Sequence, residues 1–196
     1  MPSNQPLPTD AKALRPAVFL DRDGTLNRIV VKDGVPNPPA SVEDLQILPG
    51  VQQALDRLRQ AGFLLAVVTN QPDVARGTLH FDAAEQINDL LRGRLGLDAL
   101  LCCYHDDADN CGCRKPRPGM LIDAAQRYGL NLRRSFLVGD RWGYIRAGQL
   151  AGCTTVLLRR PYSGYVQADF EAADLPEAAE IILRCKEEAA GEDLRR

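Results

Sequence analysis

An open α/β sheet with helices on both faces is the fold class that this chain predicts, and two patterns predict it. Short apolar runs rich in β-branched side chains alternate with amphipathic stretches of helical period. Polar residues close three of those runs: Asp21, Thr69-Asn70 and Asp140. Runs this short read as parallel strands buried on both faces. In such sheets ligands bind beyond the carboxyl ends of the strands, so the three polar closures are expected to gather at one edge.

In chain order, the first run is Pro16 to Leu20, ending at Asp21. The second is Leu64 to Val68, ending in Thr69-Asn70. The third is Ser135 to Val138, ending in Gly139-Asp140, and the fourth is Thr154 to Leu158. Leu100 to Tyr104 is a less regular fifth candidate. Between them lie helical faces. Val51, Leu55 and Leu58 share one, with Gly62 able to cap its end. Asp82 with Glu85 resembles a capping box ahead of Ile87, Leu90, Leu91 and Leu95. Met120, Leu121, Ala124, Ala125 and Tyr128 form a third face closed by Gly129. Ala147, Leu150 and Ala151 form a fourth closed by Gly152. Pro176 to Lys186 reads as a terminal helix with proline in its first turn. Gly34 to Ala40, with three prolines, reads as a loop.

The 196 residues suit one domain, expected over 16–190, behind a loose polar leader over 1–15. Hydrophobic residues are 45% and charged residues 26%, ordinary values for a globular chain and wrong for a disordered one. The net charge of -2, with both signs mixed along the chain, offers no basic face for nucleic acid. No apolar run reaches the length of a membrane span. No nucleic-acid or membrane partner is therefore expected, and the chain is expected to be a monomer. Four of six cysteines cluster between Cys102 and Cys113, beside a histidine. Such clustering favours a metal in a reducing compartment, the cytoplasm, over a disulfide framework.

The chemistry centres on Asp21-Arg22-Asp23-Gly24-Thr25. Two carboxylates two residues apart, just past a buried strand, repel each other unless a cation sits between them. Gly24 permits close backbone approach to a ligand. A calcium loop is a poorer reading, because its glycine belongs at the sixth position. With Thr69, then Lys115 in Cys113-Arg114-Lys115-Pro116, then Gly139-Asp140, the chain resembles the haloacid dehalogenase superfamily of phosphatases, whose four motifs appear here in order. The resemblance implies a Rossmannoid three-layer sandwich with a central parallel sheet. It implies Asp21 as the nucleophile that forms an aspartyl-phosphate and Asp23 as the acid and base. It also implies Mg2+ held by Asp21, the Asp23 carbonyl and Asp140. Thr69 and Lys115 would hold the phosphoryl oxygens, with Gly24, Thr25 and Asn70 completing the phosphate-binding set.

Cys103, His105, Cys111 and Cys113 offer three thiols and an imidazole within eleven residues, enough to close a tetrahedral zinc site. Cys102 should point the other way along an extended chain. The loop, 102–114, runs straight into Arg114-Lys115-Pro116, so Zn2+ there would be structural and would shape the segment presenting Lys115. With Thr69-Asn70-Gln71, Ala75-Arg76-Gly77 and Lys115-Pro116-Arg117-Pro118-Gly119, the loop resembles one branch of the superfamily: the D-glycero-D-manno-heptose 1,7-bisphosphate phosphatases and the related histidinol-phosphate phosphatases. Members lack a large cap domain. The branch implies a small sugar phosphate as substrate, foremost the heptose 1,7-bisphosphate losing its 7-phosphate. Arg76 and Arg114 would bind its second phosphate or hydroxyls.

The alternatives are histidinol phosphate as substrate, or a catalytically weakened phosphate-binding relative. Two departures bear on them. Pro72-Asp73 follows Gln71 where the branch reads Ser-Gly. Tyr144 stands where the fourth motif usually carries a second aspartate, and a phenol cannot replace a carboxylate near a metal at neutral pH.

Overall fold

Six parallel strands form the main sheet. Their spatial order is β5 (Ala99–Cys103), β4 (Leu64–Asn70), β1 (Ala17–Leu20), β6 (Phe136–Gly139), β7 (Thr154–Leu158) and β8 (Phe170–Ala172). The computed structural model describes residues 14–32 and 35–193. Most of the expected leader, 1–13, lies outside the described residues. Arg15, placed in that leader, already belongs to the fold: its N–H donates to the Gly129 carbonyl at 3.1 Å, and its own carbonyl accepts from Asn131 N–H at 2.9 Å.

Strand alternation divides the core in two. Val18 and Leu20 of β1 face one side, with Leu65 and Val67 of β4. There they meet α1 (Val51–Gln60), α3 (Phe81–Leu95) and α6 (Leu175–Asp193). Ala17 and Phe19 face the other side, with Ala66 and Val68, against α4 (Gly119–Tyr128) and α5 (Trp142–Ala151). The result is three layers, as the alternation of runs and helical faces implied. Left-handed glycines end three of the helices: Gly96 after α3, Gly129 after α4 and Gly152 after α5.

Three features differ from the sequence reading. Over 34–40, read as a loop, the chain instead forms β3 (Val35–Asn37), antiparallel to β2 (Val30–Lys32); Gly34 itself lies outside the described residues. No side chain caps α3, which starts at Phe81 with His80 as its N-cap, so the Asp82–Glu85 box does not form. A short helix, α2 (Pro72–Ala75), follows β4 directly. No large cap domain occurs among the described residues. No helix among them is long and apolar enough to cross a membrane.

Candidate active site

Strands β4, β1 and β6 are neighbours, so their carboxyl ends bring Thr69, Asp21 and Asp140 together at the sheet edge, as expected. The Asp21 N–H donates to the Val138 carbonyl at 3.0 Å, continuing the β1–β6 ladder, and fixes the loop after β1 to β6. Asp21 and Asp140 are both almost fully buried. Burial, and then the charge of Asp140, push the Asp21 carboxyl well above the usual range, while the Lys115 ammonium pulls it down. Burial also raises Asp140, against the hydrogen bond from Tyr162 and the charge of Arg141. One Asp140 oxygen, Oδ2, accepts from the Tyr162 hydroxyl at 2.8 Å; the other, Oδ1, is buried without a hydrogen-bond partner. Two crowded carboxylates with an orphaned oxygen are the donor set of a hard divalent cation. Gly24, at φ 84°, makes the crowding possible: a Cβ there would sit 2.1 Å from Asp140 Oδ2.

Asp23 is pinned by three donors. Gln71 Nε2 reaches Oδ2 at 2.7 Å, Arg22 Nε reaches Oδ2 at 3.1 Å, and Asn27 Nδ2 reaches Oδ1 at 2.9 Å. Arg22 is fully buried and is held in turn by Asn88 at 2.8 Å. Lys115 is buried, which pushes its ammonium down to about 8. Its Nζ donates to the Val68 carbonyl at 2.8 Å and lies 4.1 Å from the centroid of the Tyr144 ring. Burial, and then the neighbouring Asp21 carboxylate, push the Tyr144 phenol far above its ordinary value, so it stays protonated.

A cavity of about 470 Å³ opens over this floor, lined by Asp21, Asp23 and Lys115 together with Arg76, Arg114 and Trp142. Gly24, Thr25, Thr69 and Asp140 sit behind its wall. Thr69 Oγ1 accepts from Gln71 at 3.0 Å. Asn70, expected on phosphate, uses both ends of its amide on the backbone of Lys115, at 3.2 Å each way. Arg76 and Arg114 reach the cavity already engaged. Arg76 forms a two-pronged pair with Asp106 at 2.7 Å per bond, and Arg114 pairs with Asp107 at 2.7 Å.

Beyond β5, Cys103, His105, Cys111 and Cys113 come together with all four ligand atoms within 4.8 Å of one another. The sulfur–sulfur separations are 3.3 to 3.7 Å, and His105 Nδ1 lies 3.4 and 3.5 Å from two of the sulfurs. Metal–sulfur bonds of about 2.3 Å in a tetrahedron give edges of about 3.8 Å, so the cluster has the size of a closed tetrahedral site. Cys102 faces away, towards Tyr104 and Asn88.

Several residues of the site carried no signal in the sequence reading. Tyr162, Asn88 and Asp106 act through partners on distant segments, and Asp107 pairs with Arg114 inside the loop; Arg22 stands in the Asp21 motif, yet its hold on Asp23 and its bond to Asn88 show only in the fold. Gln71 stood in a quoted motif, yet its contact with Asp23 shows only once β4 lies beside β1.

A family model for haloacid dehalogenase-like hydrolases matches residues 28–152. A protein of Photorhabdus laumondii named D-glycero-beta-D-manno-heptose-1,7-bisphosphate 7-phosphatase is 35% identical over 189 residues, covering 86% of this chain and 97% of the relative. A protein of Thermosynechococcus vestitus named D-glycero-D-manno-heptose-1,7-bisphosphate 7-phosphatase is 36% identical over 193 residues, covering 86% and 95%. Among solved structures, the D,D-heptose 1,7-bisphosphate phosphatase of B. bronchiseptica, complexed with magnesium and phosphate, superposes with a TM-score of 0.75 at 32% identity, covering 86% of this chain and 98% of that one.

Proposed function

The chain belongs to the haloacid dehalogenase-like hydrolases and is a phosphatase, and on that premise we propose that it removes the 7-phosphate of D-glycero-D-manno-heptose 1,7-bisphosphate through an aspartyl-phosphate on Asp21. The observation that carries this reading is the convergence of Asp21, Asp23 and Lys115 on the floor of one cavity that Arg76 and Arg114 also line.

In the first step an Asp21 oxygen attacks phosphorus. The bond from phosphorus to the sugar oxygen breaks as Asp23 gives that oxygen its proton. In the second step Asp23 takes a proton from water, the water oxygen attacks phosphorus, and inorganic phosphate leaves Asp21 free. Gln71, Arg22 and Asn27 hold the Asp23 side chain on the cavity side. Lys115 binds phosphoryl oxygens; Thr69, expected beside it, is fully buried behind the cavity wall and holds Gln71, while Asn70 fixes the backbone that presents Lys115. Mg2+ would be held by Asp21, the Asp23 carbonyl and Asp140, where it neutralises phosphoryl charge. Zn2+ in the four-residue cluster would order the loop from which Arg114 and Lys115 project. A second phosphate would displace Asp106 and Asp107 from Arg76 and Arg114.

The test is phosphate release over sugar bisphosphates, histidinol phosphate and nucleotides, with and without Mg2+. The heptose 1,7-bisphosphate should give the highest kcat/KM, and omission of Mg2+ should remove it. A higher kcat/KM for histidinol phosphate would overturn the substrate assignment.

A further inference from the structure

The segment after β7, residues 159–163, is closed on itself and fastened to the rest of the site. Arg160 Nη2 donates to the Gly24 carbonyl at 3.2 Å. Ser163, itself buried, accepts the Arg160 N–H on its hydroxyl at 2.8 Å. Its carbonyl accepts the Trp142 N–H at 3.2 Å, which ties the segment to the first residue of α5. Between these anchors Tyr162 donates to Asp140 Oδ2 at 2.8 Å, and Arg141 lies 5.5 Å from its ring centroid. The nucleophile loop, Asp140 and α5 are thus bound to one strap.

The strap divides the two oxygens of Asp140. Oδ2 is taken by the phenol; Oδ1 is buried and has no hydrogen-bond partner. We propose that Tyr162 is a positioning residue for the metal site: by holding Oδ2 it makes Asp140 a one-oxygen ligand through Oδ1. The proposal rests on the reading of Asp21 and Asp140 as the metal pair. Its consequence is selectivity between ions. Mg2+ demands near-ideal octahedral geometry, whereas Ca2+ takes six to eight oxygens and accepts both oxygens of a carboxylate. A phenol fixed on Oδ2 denies the larger ion that second oxygen. Gly24 leaves the room, since a Cβ there would also lie 2.9 Å from the Tyr162 hydroxyl.

Tyr162→Phe keeps the ring and removes the donor. The purified full chain, zinc-loaded and without substrate, is titrated calorimetrically with MgCl2 and with CaCl2, and its melting temperature is recorded before each titration. Partners that orient a metal ligand are worth about 10- to 100-fold in affinity. Mg2+ should therefore bind about 10- to 100-fold more weakly to the variant, while Ca2+ loses little or gains, so the preference for Mg2+ over Ca2+ narrows. Ser163→Ala, which loosens the strap without touching the phenol, should shift the ratio in the same direction by less. Tyr165→Phe, fully exposed two residues beyond the segment, should match the parent. An unchanged ratio in Tyr162→Phe, or an equal loss for both ions, overturns the role of Tyr162 and leaves the metal reading standing. A parent that binds neither ion overturns the metal reading, and the proposal falls with it.

Discussion

The carboxylate pair at the strand ends and the cysteine cluster beyond β5 are both donor sets suited to a cation, but they are held in opposite ways. Asp21 and Asp140 are carried by β1 and β6, among fully buried Phe19, Leu20, Val67 and Val138. Each such side chain contributes about 1.5–3 kcal/mol of burial, so the strands hold the pair without help. From Tyr104 to Arg114 no residue is buried. Ordering backbone costs about 1–2 kcal/mol per residue, which for about ten residues is as large as the about 10–16 kcal/mol that a structural zinc site supplies. A cation at the strand ends would relieve repulsion in a frame that already exists; a cation in the loop would make the frame.

The largest effect that sharpens this contrast is Asp21→Asn. Loss of the nucleophile should lower phosphate release by about 10⁴-fold or more. The metal-free variant should melt no lower than the parent, because the substitution removes a buried charge that its surroundings disfavour. Turnover assays and thermal melts in chelator check both halves. A variant that melts well below the parent would show that the carboxylate itself holds the strand ends together.

Next in size is Cys111→Ser combined with Cys113→Ser. Zinc content should fall to zero, and activity should drop about 100-fold through misplacement of Lys115. Hydrogen exchange should rise over residues 104–117 while the sheet stays protected. Elemental analysis with exchange mass spectrometry reads the outcome. Exchange that also rises in β1 or β6 would break the distinction between the two regions.

Lys115 is where the regions meet, since the loop carries it and the strand-end site uses it. Its ammonium, pushed down to about 8 by burial, is charged below that pH and neutral above it. kcat/KM should fall about tenfold per pH unit above about 8 as the phosphoryl oxygens lose their cation. Stability of the metal-free protein should move the other way. Between the folded value and the ordinary 10.5, the unfolded chain binds the extra proton, so the fold gains stability as pH rises through that window. Lys115→Arg, charged throughout, should flatten both slopes. A pH–rate profile and melts across the same range test the pair of signs.

Much of this was legible in the sequence wherever a signal was local. β7 spans the residues read for it, and the polar closures at Asp21, Thr69 and Asp140 do meet at one edge. Cys103, His105, Cys111 and Cys113 cluster as their spacing implied. What escaped was short or non-local. Strands of three residues, as in β2, β3 and β8, are too brief for a period to show. His80 begins α3 without a side-chain cap, so no capping residue marks where that helix starts. The bonds from Tyr162 to Asp140 and from Arg76 to Asp106 join residues 22 and 30 apart, and neither partner announces the other. Asn70 has the residue type of a phosphate ligand, and only its two bonds to Lys115 reveal a supporting part.

The smallest expected effect concerns Tyr144, which stands where a third carboxylate would face the strand-end pair. The phenol lies beside Asp21, and its ring lies beneath Lys115 at 4.1 Å, a desolvated contact of about 2 kcal/mol. It does not add charge. Tyr144→Asp should strengthen the field around the cation and lower the Mg2+ concentration for half-maximal activity by about three- to tenfold, while kcat falls because Lys115 loses the ring that orients it. Tyr144→Phe separates the two contributions. It keeps the ring beneath Lys115, adds no charge and should leave the Mg2+ midpoint within about twofold of the parent. Magnesium titrations of the three proteins distinguish the cases. If Tyr144→Asp leaves the midpoint unchanged, the tyrosine is there for Lys115 and Asp21 alone, and two carboxylates on the strand ends are a complete anionic set for the ion.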